Sequence, residues 1–303
     1  MGAVRHLLVL LHDRGERKVT ESKFSISYSK WLQDGNLLAA PGINEESLFM
    51  VSLRMCRDAN QIATGSGFLW RTANGIALVT AWHNLTGLDF LTRLPLHSMG
   101  AVPNRAKFKI IQANPLSFLD IDLPLFLNAE EDQPRWFVHE KAGSHFDMAW
   151  IGLAVDRPEA FHCANDKIAS IGSAVLQPGS DVIVGGFPHG IGPFGIVPIW
   201  KRGSVASPMR MPVNGMPYFL IDMAGRQGMS GGYVFGRSLP TEDYKFIGIY
   251  TGRASSPGTA RESSELGMVW WNDIVEDMIY NGVSDEFPEV GMSMVKVSEN
   301  SIE

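Results

Sequence analysis

Cysteine is nearly absent from this chain: 303 residues carry two, Cys56 and Cys163. That excludes a densely disulfide-stapled framework and fits two reduced thiols in a reducing compartment. Long apolar runs are missing too. Near the start the longest, Leu7–Leu11, falls short of a signal-peptide core and far short of a membrane span. It gives way at once to His12-Asp13-Arg14-Gly15-Glu16-Arg17-Lys18. Met1-Gly2 has His6 where a myristoylation signal needs Ser or Thr. There is no basic excess: the formal net charge is −6. A partner held mainly through phosphates is therefore not expected, so no nucleic acid and no membrane partner are assigned. His97, His139, His145 and His162 stand in loop-like contexts and read as solvated, with His189 in a loop after Gly186-Phe187-Pro188. None forms a pair with metal-ligand spacing, so neither metal nor cofactor is expected. Repeats and low-complexity tracts are likewise missing.

What remains is an ordinary globular composition, 45% hydrophobic and 19% charged, with enough chain to bury a sizeable core. The pattern is strand-rich. Leu48–Leu53 is apolar on both faces, as in a mostly buried strand. Gly67–Trp70, then Asn74-Gly75, then Ile76–Val79 reads as a hairpin with an Asn-Gly turn. Val182–Gly185, Tyr218–Ile221, Tyr233–Phe235 and Phe246–Tyr250 add further short strands. Many short strands between Gly/Pro turns predict an all-β barrel or sandwich. Only Trp271–Tyr280 has helical spacing, pairing Ile274 with Met278 and Val275 with Ile279, before a stop at Gly282.

Chemistry enters with Gly228-Met229-Ser230-Gly231-Gly232. Flanking glycines let the backbone turn sharply around a serine and expose amides to a developing oxyanion. A serine nucleophile needs a base, and the base needs an orienting carboxylate. Leu78–Ala81 is a strand-like run that ends on Trp82-His83, and Asp147 opens the apolar run Met148–Leu153. Asp120 and Asp122 compete with Asp147 as the acid. The order His, Asp, Ser excludes the nucleophile elbow of α/β-hydrolases, which places histidine after serine, because no histidine follows His189. The subtilisin order would need Asp13, Asp34 or Asp58, none in a strand context. The chymotrypsin order fits.

On these residues the chain resembles the trypsin-like serine peptidases, nearer the bacterial HtrA-type branch than the digestive enzymes. The carriers run from about Ser47 to about Gly282: Gly65-Ser66-Gly67-Phe68-Leu69, Val79-Thr80-Ala81-Trp82-His83 and Asp147-Met148-Ala149 come first. Gly185-Gly186-Phe187-Pro188, Gly203-Ser204-Val205-Ala206-Ser207, Gly228-Met229-Ser230-Gly231-Gly232 and Phe246-Ile247-Gly248-Ile249-Tyr250-Thr251 follow. The resemblance implies two six-stranded antiparallel β-barrels of chymotrypsin type with a C-terminal helix. Residues 1–45 then form an N-terminal extension, 46–155 the first barrel, 156–170 a linker, 171–283 the second barrel with its helix, and 284–303 a tail without a PDZ domain. The implied activity is a serine endopeptidase acting on proteins or peptides through an acyl-enzyme. Ser230 is the nucleophile, His83 the base, Asp147 its orienting acid, and the Gly228 and Ser230 amides form the oxyanion hole. A catalytically latent binding module of the same fold, and an esterase, are the competing readings.

Two departures stand out. Met229 precedes the nucleophile where the digestive branch carries an aspartate that pairs with a newly cut amino terminus; methionine cannot accept that pair, so no activation of that kind is expected. Ala224 stands six residues before Ser230, where trypsin has an acid. With Thr251-Gly252-Arg253 as a pocket wall by resemblance, Ala224, Thr251 and Gly252 imply small or medium apolar residues before the cleaved bond; Asp222 and Glu265 are the charges able to upset this. The thiols, the short N-terminal run and the sequon Asn84-Leu85-Thr86 beside His83, where a glycan would obstruct the site, together imply a cytoplasmic protein.

Overall fold

The computed structural model describes residues 44–113, 116–254 and 265–286. The N-terminal half is strand-rich: β1 (Met50–Arg57), β2 (Asn60–Thr72), β3 (Gly75–Thr80), β4 (Arg105–Ala113), β5 (Leu116–Pro124), β6 (Phe137–Val138) and β7 (Ala149–Leu153). A short helix α1 (Trp82–Thr86) follows β3, and α2 (Ala164–Lys167) precedes the C-terminal half. There β8 (Asp181–Gly186), β9 (Ile199–Val205), β10 (Tyr218–Asp222), β11 (Gly232–Arg237), β12 (Lys245–Arg253) and β13 (Leu266–Trp271) lead into α3 (Asn272–Asn281) and β14 (Val283–Ser284).

The C-terminal strands close into a six-stranded barrel in the order β10-β13-β12-β11-β8-β9. The N-terminal strands pair as one eight-stranded sheet, β14-β6-β7-β3-β2-β1-β4-β5, so the last strand among the described residues returns to its edge. The all-β antiparallel class expected from the sequence is what is seen; the second barrel closes with six strands as expected, whereas in place of a six-stranded first barrel the strands pair as an eight-stranded sheet, because β14 adds to its edge. The Asn74-Gly75 hairpin pairs Thr72 with Gly75, and α3 occupies the helical segment. Cys56 and Cys163 are both free and buried. Among the described residues no helix is long and apolar enough to cross a membrane.

The two halves share a core. Phe68 and Trp70 of β2 meet Tyr233 of β11 and Phe246 of β12, with ring centroids of Phe68 and Tyr233 4.9 Å apart, edge to face, and those of Tyr233 and Phe246 stacked at 4.5 Å. Such pairs add to simple apolar burial, and they fix β2 against the barrel.

The N-terminal sheet is closed off from below by Asp285. Its Oδ2 accepts both the Trp82 and the Trp136 indole N–H at 2.7 Å, and the residue is buried. Burial, offset by the two indole hydrogen bonds, raises the Asp285 carboxyl above its ordinary value. Removing the acceptor strands two buried indole donors, whereas Asn keeps an accepting oxygen. Asp285→Ala is expected to cost about 2–4 kcal/mol in urea unfolding and Asp285→Asn less than about 1 kcal/mol, on the scale of unsatisfied buried donors.

Candidate active site

His83 sits in the first turn of α1. The helix has no side-chain cap of its own at Ala81; Asp147, just before β7, supplies the acceptor instead. Its Oδ1 takes the His83 backbone N–H at 3.0 Å, satisfying one of the orphan donors of a helix start. The same carboxylate holds the imidazole, with Nδ1 3.0 Å from Oδ1 and 2.8 Å from Oδ2. A carboxylate against Nδ1 selects the tautomer protonated there and leaves Nε2 free to accept. Asp147 is 1% exposed. The competing acids lie elsewhere: Asp120 and Asp122 are on β5, ion-paired with Lys109 and with Arg105 and Lys107.

Burial by itself lowers the His83 pKa, but the Asp147 charge and hydrogen bond, helped by Asp89, outweigh it and hold the imidazole above its ordinary 6.5.

Ser230 stands in the turn before β11. Its backbone carbonyl is gripped by β2 and α1, accepting the Ser66 N–H and the Asn84 Nδ2 amide, each at 2.8 Å. Its hydroxyl donates to the Thr251 carbonyl of β12 at 2.9 Å; no hydrogen bond joins it to His83 among the described residues.

The amides of Gly228 and Ser230 donate to no group among the described residues. The Gln227 carbonyl accepts the His189 N–H; across a planar trans peptide, the Gly228 N–H then points the opposite way. Gly228 and Gly231 have φ of +91° and +89°, a region costly to any residue with a Cβ. At Gly228 a Cβ would also lie 2.6 Å from the Phe187 carbonyl, and at Gly231 it would overlap the Ser66 carbonyl.

Two side chains beyond the sequence candidates lock this turn. The Ser66 hydroxyl, fully buried, donates to the Gly228 carbonyl at 2.7 Å and accepts the Phe187 N–H at 2.9 Å. Met229 is also fully buried, packed in the barrel core with Val184 and Val234. It anchors the turn by apolar contact at the very position where a charged anchor is missing.

A cavity of about 640 Å³ opens beside His83 and Asp147, with Phe90, Met216, Met268 and the Thr251–Arg253 edge in its lining. It brings Thr251 and Gly252 to His83 but not Ala224. The Ala224 carbonyl instead accepts the Lys201 ammonium from β9. Burial first, then the Arg226 charge, lowers the Lys201 pKa, with Glu265 opposing. Nothing local in the sequence marks Lys201. His139, read as solvated, is in fact buried: its Nε2 lies 2.9 Å from Asp277 of α3, because that helix packs against β6.

No family model and no curated protein sequence matches the chain. Among solved structures it is similar to a serine endoprotease from Yersinia pestis (13% identity, TM-score 0.46, 78% of this chain and 66% of that one). It is also similar to the thermostable serine protease AL20 from an extremophilic microorganism (12%, 0.48, 78% and 98%) and to the Rv3671c protease from M. tuberculosis in its active form (17%, 0.44, 84% and 88%). The chain thus spans about two thirds of the Yersinia protein. Identities this low assign no activity.

Four expectations follow. If His83 acts as a base, kcat/KM rises with pH through a pKa above 6.5. The imidazolium–Asp147 attraction likewise adds stability that is full below the ordinary histidine pKa and fades as pH rises through the raised one. Asp147→Asn should move the histidine titration, read by NMR, to lower pH and cut kcat by about 10⁴-fold. Ser66→Ala removes two buried hydrogen bonds and is expected to cost about 1–3 kcal/mol in chemical denaturation; it should lower kcat more than it raises KM, since the loosened turn carries the free amides.

Proposed function

We propose that the protein is a serine endopeptidase. What supports this reading is the buried His83–Asp147 pair together with a serine tied to the same region, its carbonyl held by Asn84 next to His83 and its hydroxyl by Thr251 of the cavity lining, in a turn with two unengaged amides. His83 Nε2 takes the Ser230 proton as Oγ attacks the scissile carbonyl. Asp147 holds the tautomer and stabilises the imidazolium. The Gly228 and Ser230 N–H groups receive the oxyanion, each worth about 3 kcal/mol of barrier. The imidazolium then protonates the leaving amine, and water, deprotonated by the same histidine, releases the acyl group. The substrates are proteins or peptides. The chain segment before the cleaved bond lies along Thr251–Arg253, where the 640 Å³ cavity receives apolar side chains. Reaction requires the Ser230 hydroxyl to leave the Thr251 carbonyl and turn to His83.

That same hydrogen bond is the observation favouring the second reading, a latent module of this fold that binds without cleaving. Fluorophosphonate labelling separates them. The peptidase reading expects labelling of wild type that is abolished in Ser230→Ala and strongly slowed in His83→Ala. A folded wild-type protein that takes no label would favour the latent module and end the peptidase reading.

A further inference from the structure

Tyr250 of β12 stands immediately before Thr251, whose carbonyl holds the Ser230 hydroxyl. The Tyr250 carbonyl accepts the Gly231 N–H at 2.7 Å, so its backbone is tied to the nucleophile's turn from the other side. Its ring points toward the segment that leads into that turn. A Cβ built on Gly225 would overlap the phenol oxygen and lie 2.5 Å from Cζ. A Cβ on Gly267 of β13 would lie 2.7 Å from Cε2. The ring therefore fills a slot between residues 223–226 and β13, and both walls carry glycine where it passes. A side chain on either wall would displace it.

The hydroxyl distinguishes this ring from a plain core aromatic. A buried tyrosine hydroxyl normally finds a partner. Tyr250 is 1% exposed, yet its oxygen makes no hydrogen bond among the described residues and is not one of the buried polar atoms left unsatisfied. Tyr233, a barrel neighbour, shows the contrast: its hydroxyl is enclosed without a partner. Burial pushes the Tyr250 phenol up to about 12, so it stays neutral.

This slot adjoins Ser230 along both segments that fix the serine. We propose that this slot, at the barrel-core end that faces the nucleophile's turn, is where the side chain of the residue donating the reacting carbonyl would enter, and that Tyr250 is the specificity-determining residue of the site: its ring fills the slot and restricts cleavage to small residues, leaving bulky apolar recognition to the separate cavity lined by Phe90, Met216 and Met268. The inference rests on the peptidase reading. It moves selectivity from Ala224, whose carbonyl is taken by Lys201, to a residue not singled out in sequence.

The test uses the full chain and peptide substrates that differ only in the residue before the cleaved bond, Ala against Phe. Wild type should favour Ala by about 100-fold in kcat/KM, the scale on which a closed apolar site discriminates. Tyr250→Val should shift the Phe:Ala ratio toward Phe by about the same factor, and Tyr250→Phe, which keeps the ring, should leave it near wild type. Should Tyr250→Val not fold, inhibition of wild type by peptidyl boronates ending in Ala or Phe reads the same preference. A wild type that accepts Phe as readily as Ala overturns the proposal. So does a folded Tyr250→Val that takes a small fluorophosphonate at the wild-type rate yet keeps the wild-type ratio. No label on Ser230 in folded wild type would instead remove the peptidase reading, and this proposal with it; label with a Phe preference removes the role of Tyr250 alone.

Discussion

The structure turns on the buried hydroxyl of Ser66. One oxygen, accepting from Phe187 and donating to Gly228, ties β2 of the N-terminal sheet to both loops that surround Ser230 in the barrel. The Ser66 backbone joins in, its N–H on the Ser230 carbonyl and its own carbonyl taking the Thr80 hydroxyl at 2.7 Å. Asn84 closes the circuit by donating to both the Thr80 hydroxyl and the Ser230 carbonyl. The Ser66 hydroxyl, N–H and carbonyl, the Thr80 hydroxyl and the Asn84 amide nitrogen all find partners within the seam, the condition under which a buried network adds definition rather than cost. Because Asn84 follows His83 directly, His83 and the Ser230 turn are referenced to the same few atoms, although they belong to different halves of the molecule.

How much of this was legible in sequence depended on how local the cause is. His83 was readable because a strand delivers it to a short helix, and Asp147 because it opens the neighbouring strand of the same sheet. The Gly228–Gly232 turn was readable because positive φ demands glycine. Ser66 was visible only as part of a resembling motif; its hydroxyl's partners lie 121 and 162 residues away, and no spacing rule reaches that far. His139 was misread as solvated for the same reason, since its cover, Asp277, comes from α3 near the other end of the described chain. The return of β14 to the edge of the N-terminal sheet was hidden because two residues carry no periodicity to read.

Met229 answers a question the sequence raised. A loop that presents free amides must be held by something other than those amides. A charged residue at this position would need a charged partner brought to it; a methionine needs only the barrel core that β8 and β11 already provide. Apolar anchoring carries no proton and no required partner terminus, so the turn can be ordered in the chain as synthesised. Ser66 supplies the polar half of the same restraint.

The hydrogen bond from Ser230 to Thr251 is then best weighed as an exchange. Leaving the Thr251 carbonyl for His83 Nε2 trades one hydrogen bond for another, and a net difference of about 1 kcal/mol either way is the usual scale of such trades. A backbone carbonyl in β12 is a neutral acceptor. An imidazole whose Nδ1 proton is drawn toward Asp147 is a better one, because the carboxylate raises the basicity of the free nitrogen. Substrate lying along Thr251–Arg253 would shift the trade further by competing for the strand edge. On the proposed reading the bond is therefore a shallow preference, and exchanging it calls for no large rearrangement of a turn already fixed by Ser66, Asn84 and Met229.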